Sequence, residues 1–161
     1  MRAIWNRGIK MYNEMYDAVL KKFTGGKTFA LATLRNGQPT VRTMSGFSLN
    51  GKIYFQTDSL MDKAIDIKAN NHIALCLDEI QIQGSCVEIG HPFDETNSWF
   101  IDAFKAFFPK AYAQYSHVST ERVYEITPAW VEIWGKQNGI PSLIYLDIDN
   151  QKCDIKVFEE Y

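Results

Sequence analysis

No stretch of this sequence stays apolar for the roughly 20 residues that a membrane helix requires. No charge of one sign dominates either: 17 basic against 19 acidic residues leave a formal net charge of −2. The first absence predicts no membrane span, and the second removes any global electrostatic case for nucleic-acid or anionic-membrane binding. Cysteine is scarce. Cys76, Cys86 and Cys153 are too scattered for a disulfide framework or a CxxC site, so a reduced, cytoplasmic protein is expected. Cys76 and Cys86 lie in apolar stretches and are expected as small buried hydrophobes. His72, His91 and His117 show no metal-ligand spacing with one another or with the cysteines, so no zinc site is expected. Nucleophile elbow, P-loop and GxGxxG patterns are missing. The opening MRAIWNRGIKMYNEMYD has neither a continuous apolar core nor a small-residue cleavage site and reads as no signal peptide.

What is present is an ordinary globular composition. Over 161 residues, 46% are hydrophobic and 22% charged, which predicts one domain spanning 1–161. Residues 11–23 place Met11, Met15, Ala18, Val19 and Phe23 on one face, an amphipathic helix ended by Gly25-Gly26. KTFALATLR, PTVRTMSGFSL and KIYFQT follow, joined by Asn-Gly dipeptides. Asn-Gly tolerates the positive φ of tight hairpins, so 27–57 is a three-stranded antiparallel meander. DSLMDKAIDIKANN switches to helical spacing. Ser59 with Asp62 three residues on forms a capping-box pattern, which opens that helix at Leu60. HIALCLDEIQIQGSCVEIG (72–90) reads as two strands turning near Asp78-Glu79. Residues 94–108 are helical and stop at Pro109. Residues 121–134 form a strand interrupted by Pro128, 142–149 one more, and the tail gives only weak signals. Antiparallel strands in this number close into a barrel to remove their edges. The fold class expected is α+β, mainly β: an antiparallel split β-barrel with peripheral helices.

Candidate functional residues cluster between the second strand and the following helix. Alternation sets Val41, Thr43, Phe47 and Leu49 on one face, and Arg42, Met44, Gly46 and Ser48 on the other. Arg42 is therefore either an exposed strand arginine or a cation awaiting an anion. Lys63 lies in the first turn of the next helix, where the dipole disfavours a cation by a few tenths of a kcal/mol and a bound phosphate would reverse the sign. The plain alternative pairs Lys63 with Asp62 or Asp66 in solvent. In the fifth strand Gln81, Gln83 and Ser85 alternate with Ile80, Ile82, Gly84 and Cys86. That polar row suits a flat heteroaromatic ligand with donors and acceptors, or is simply a solvated outer face. The aromatic helix carrying Trp99, Phe100, Phe104, Phe107 and Phe108 reads as a packing face or a dimer contact.

The order of these signals, FALATL…GQPTVRTMSGF…GKIYFQT…DKAIDIKANNHIAL…IQIQGSCVEI, resembles the pyridoxamine 5′-phosphate oxidase-like family of FMN-binding split β-barrels. The resemblance implies FMN as cofactor and a homodimer with flavin sites at the subunit interface. It implies Arg42 and Lys63 on the phosphate, with Ser59 at the helix start and Thr43 and Met44 along the ring. Gln56 and Thr57 would be the strand-end pair near the flavin and its tail. Gln81 or Gln83 would lie near the ring, with Trp130 or Trp134 at its edge. Two departures point away from pyridoxamine phosphate as substrate: no arginine follows Arg122, and Asp62 stands where the family has a basic residue. The function implied is an FMN-dependent oxidoreductase on an unidentified small molecule. The alternative is a flavin- or other ligand-binding protein without turnover, a sensor or carrier. No side-chain acid–base constellation is needed, because the flavin performs the redox step.

Overall fold

The computed structural model describes residues 2–158, with side chains described from residue 8 onward. Helix α1 (Arg2–Lys22) leads into strands β1 (Lys27–Arg35), β2 (Gln38–Leu49) and β3 (Lys52–Asp58), then helix α2 (Asp62–Ala69). Strands β4 (His72–Leu77) and β5 (Ile80–Glu88) follow. A 3-10 turn (Glu95–Asn97) precedes helices α3 (Ser98–Phe107) and α4 (Pro109–Tyr115). Strands β6 (Glu121–Gln137), β7 (Ile140–Asp147) and β8 (Lys152–Val157) end the described chain.

All neighbouring strands are antiparallel, in the order β3-β2-β1-β4-β5-β6-β7-β8, and β3 also pairs with β6. That extra pairing closes β1 to β6 into a ring, and β7 and β8 extend the sheet beyond it, with Ile144 and Leu146 buried in the main core and β8 packed near α1. Closure leaves the ring without an open edge. The meander forms as its turns predict: Asn36-Gly37 and Asn50-Gly51 all take positive φ, between 49° and 80°. Among the described residues, no helix is long and apolar enough to cross a membrane.

Two apolar cores result from the alternation. Inside the ring, Phe29, Leu31, Ile53, Phe55, Leu75, Ile82, Ile126 and Val131 pack with Val19 of α1, with Phe23 just after it and with Ile67 of α2. Outside it, Phe47 and Tyr54 are covered by Phe100 and Phe104 of α3, so the aromatic helix is a packing face. Phe47 and Phe100 stack at 5.4 Å between ring centroids.

Several sequence expectations need correction. Ala18 is exposed and Tyr12 is buried, because the buried face follows Tyr12, Met15, Tyr16 and Val19, and Ala18 lies about 100° away from Val19 around the helix. Cys76 is exposed, not buried; it faces outward between Leu75 and Leu77 by strand alternation. Pro109 does not simply stop a helix but starts α4 at its first position, where its missing N–H costs nothing. The 121–134 strand runs on to Gln137 through Pro128, because the register with β5 shifts at Gln83/Gly84 and leaves Ala129 as an extra residue. Strand β8, weakly signalled, pairs with β7 along its length.

Candidate functional site

The short helix α2 covers one end of the ring, where Arg42 enters from β2. Arg42 stands opposite Leu31, in the same cross-strand row as Leu75, Ile82 and Val131. It is thus an interior arginine, its side chain 22% exposed. It donates from Nη1 to Thr33 Oγ1 at 2.7 Å and Leu31 O at 3.3 Å, and from Nη2 to Thr40 Oγ1 at 2.6 Å. The carboxylate that faces it belongs to the chain itself: Asp66 Oδ2 lies 3.9 Å from Nη2. Asp66 is buried and also accepts from Thr33 Oγ1 at 2.9 Å and from Arg35 Nε at 2.9 Å. Burial pushes its pKa up, but the bonds from Arg35 and Thr33 and the charges of Arg35 and Arg42 bring it below the ordinary value. Burial lowers the pKa of Arg42, and the charge of Asp66 opposes that.

Lys63 behaves differently from its carboxylate neighbours. Asp62 and Asp66 both turn to Arg35, with Asp62 Oδ2 at 3.1 Å from Nη1. Neither pairs with Lys63, so the plain alternative for this lysine does not hold. Among the described residues Lys63 makes no hydrogen bond or ion pair, although it is half-buried. Its pKa is lowered first by burial and then by the charge of Arg42, while the charges of Glu121, Asp62 and Asp58 oppose this without contacting it. Two cations thus share one neighbourhood, and one of them lacks a contacting anion.

The helix does not start as the capping pattern predicts. It opens at Asp62, with no side-chain cap. Asp58 takes over the local turn instead: its Oδ1 accepts from Leu60 N–H at 2.9 Å and its carbonyl from Met61 N–H at 3.0 Å. This Asx turn competes directly with a serine cap. Ser59 donates its N–H to Thr120 O at 2.9 Å.

The other candidates fall on both sides of the sheet. Met44 packs against the interior core, and Thr57 is buried on the interior face of β3, opposite Arg122. Gln56 points outward under α4, where its Oε1 accepts from Ser116 Oγ at 2.9 Å and its Nε2 donates to Glu121 Oε1 at 2.9 Å. Thr43, Gln81 and Gln83 are exposed on the outer face. There Val41, Ala32, Ala74, Gln83 and Trp130 form one cross-strand row. Ala32, Ala74, Gln83, Trp130, Pro39 and His72 contribute to an open groove of about 470 Å³. Trp134 sits apart, 49% exposed and facing Phe158. One chain therefore brings Arg42 and Lys63 together but holds both glutamines across the sheet from them.

Glu121 carried no signal in the sequence, yet it is 4% exposed. Burial pushes its carboxyl up to about 7, Asp58 adds to this, and the Gln56 bond and the Lys63 charge oppose it. The folded state therefore holds an extra proton between the ordinary 4.5 and about 7. Its stabilising effect is complete below 4.5 and is lost as pH rises through 7. Glu121→Gln, which keeps the shape without the charge, is expected to match the wild type at pH 4. At pH 8 it should be more stable by about 1–3 kcal/mol. Urea unfolding across that range checks it, and parallel curves for the two proteins would contradict it.

This arrangement of meander, α2 and β4–β6 can be set beside known proteins. The family model for pyridoxamine 5′-phosphate oxidase matches residues 15–135. The chain belongs to the pyridoxamine 5′-phosphate oxidase family. Within that family range lie Arg42, Lys63, Asp66, both glutamines and Glu121, whereas β8 lies beyond it. A search of curated proteins finds no match. Among solved structures, a pyridoxamine 5′-phosphate oxidase-related, FMN-binding protein from Nostoc punctiforme PCC 73102 is 15% identical. The match covers 94% of this chain and 95% of that one, with a TM-score of 0.56. PhzG from Burkholderia lata 383, solved with tetrahydrophenazine-1-carboxylic acid, is 16% identical over 93% of this chain and 90% of its own, with a TM-score of 0.59. HutZ, the heme storage protein from Vibrio cholerae, is 15% identical over 63% of this chain and 81% of its own, with a TM-score of 0.56. At these identities the likeness is one of fold.

Proposed function

We propose that this member of the pyridoxamine 5′-phosphate oxidase family binds FMN and acts, as a homodimer, as an oxidoreductase on a small molecule. The observation that carries the reading is the pairing of Arg42 with Lys63. Two cations repel each other in a half-buried setting, and Lys63 has no contacting anion among the described residues. A phosphate dianion relieves both costs through charge-assisted hydrogen bonds. The donor set thus fits the FMN phosphate. Bound flavin supplies the hydride or electron transfer. The chain's own residues bind and orient it: Lys63 and the free donors of Arg42 take the phosphate, while Thr33 and Thr40 fix the guanidinium from behind.

The separation of the two residue sets supports a dimer. Gln81 and Gln83 face outward beside small residues, Ala32 and Ala74, and Trp130. From there they reach a ring held by the partner subunit rather than by their own Arg42. Titration with FMN checks the reading: one flavin per chain and reduction by NADH or NADPH followed by reoxidation are expected. Tight binding without reduction favours a ligand-binding protein without turnover. That second reading draws on a fold neighbour whose name specifies heme storage.

A further inference from the structure

The two carboxylates of α2 should spoil an anion site, and one residue outside the helix prevents it. Asp62 and Asp66 are one helical turn apart and share a face. Arg35, the last residue of β1, reaches both: Nη1 to Asp62 Oδ2 at 3.1 Å and Nε to Asp66 Oδ1 at 2.9 Å. Arg35, Arg42 and Lys63 bring three positive charges beside Asp62 and Asp66, and Glu121 and Asp58 also act on Lys63. Whatever those two contribute, loss of Arg35 makes the surroundings one charge more negative and leaves Asp62 without its ion-pair partner. Asp62 directly precedes Lys63, and its side chain is 75% exposed, so an uncompensated carboxylate there would face any anion approaching the lysine. Arg42 would also change partners. It now bonds to two threonine hydroxyls at 2.6 and 2.7 Å and stays 3.9 Å from Asp66. An Asp66 without Arg35 would draw that guanidinium towards itself.

We propose that Arg35 is a positioning residue of the phosphate site: by holding Asp62 and Asp66 it cancels their charge and leaves Arg42 and Lys63 available to the flavin phosphate. The proposal rests on the FMN reading above. It also accounts for Asp62 at a position where a basic residue is expected, because the missing positive charge returns in space from β1. The stabilising effect of such a part-exposed pair is small; its consequence is for the charge that the ligand meets.

The test compares FMN with riboflavin, which differ in the phosphate alone. The dissociation constant of riboflavin divided by that of FMN is measured by flavin fluorescence for wild type, Arg35→Gln, Asp62→Asn and the double variant. Arg35→Gln is expected to lower the ratio about tenfold with riboflavin affinity unchanged, and Asp62→Asn in the same chain to restore most of it. Equal weakening of both ligands by Arg35→Gln, or no recovery in the double variant, overturns the proposal. Should Arg35→Gln not fold, Asp62→Asn alone reads the same charge from an exposed position: the ratio should rise severalfold, and an unchanged ratio overturns the proposal. A wild type that does not distinguish FMN from riboflavin removes the phosphate reading and this inference together. A preference that survives intact in folded Arg35→Gln removes this inference only.

Discussion

Asp66→Ala is expected to destabilise the protein by about 2–4 kcal/mol at pH 7. The residue is 3% exposed and joins four side chains from two strands to α2: Arg35, Thr33, Thr40 and Arg42. Removing it leaves Arg42 inside the ring with hydroxyl and carbonyl partners only. An unpaired part-buried cation costs more than the pair itself contributed, and the exposure of Arg35 and of Arg42 keeps the figure below that of fully buried pairs. The sign with pH follows from the depressed pKa of Asp66. Its contribution is full above the unfolded carboxyl range and is lost as pH falls through the folded value. Chemical denaturation should therefore show wild type and variant far apart at pH 7 and converging below about pH 4. A difference under about 1 kcal/mol at pH 7 would mean that the cluster is a solvated surface group after all.

Gly84→Ala is the second large effect. A Cβ at this position would collide with Thr127 O and lie 3.0 Å from Thr127 C and 3.1 Å from Pro128 Cα. All three are backbone atoms of β6, so no side chain can swing away to make room. Gly84 also sits where the β5–β6 register shifts, and the two strands must separate to accept the methyl group. A loss of about 3 kcal/mol or more is expected. Gly135→Ala in the same β6 is the control, because nothing lies within 4 Å of its added Cβ; its effect should stay within about 0.5 kcal/mol. Equal midpoints and slopes for the two variants in urea would contradict the close approach. Trp130 pairs with Gln83 across this same bulge, so the glycine also sets how tryptophan and glutamine share the outer groove.

The meander was legible because its signals are local. Asn-Gly fixes a hairpin through two residues' φ angles, and alternation then assigns every side chain to a face. That rule set Arg42 on one face with Met44 but left open whether the face is interior, which the pairing of Arg42 with Leu31 decides. What stayed hidden depends on distant partners. Asp66 looked like one more solvent-facing helix carboxylate, because nothing in the order of residues tells that Arg35, 31 positions earlier, ends beside it. Glu121 opens a strand like any polar residue, and its burial is created by Gln56 and by Ser116 at the end of α4. The capping box at Ser59 failed for a local reason, since Asp58 offered a competing turn one residue earlier. A third Asn-Gly, at Asn138-Gly139, takes positive φ as the first two do and marks the β6–β7 turn, a hairpin absent from the sequence expectations.

The central claim is that Arg42 and Lys63 hold a flavin phosphate, and an absorbance spectrum tests it most directly. Purified protein is scanned before and after addition of FMN and removal of the excess, alongside Arg42→Ala/Lys63→Ala. The account predicts flavin bands at about 370 and 450 nm retained by the wild type. The double variant should be folded by circular dichroism and colourless. A wild type that retains no flavin, or a double variant that retains as much as the wild type, would contradict it.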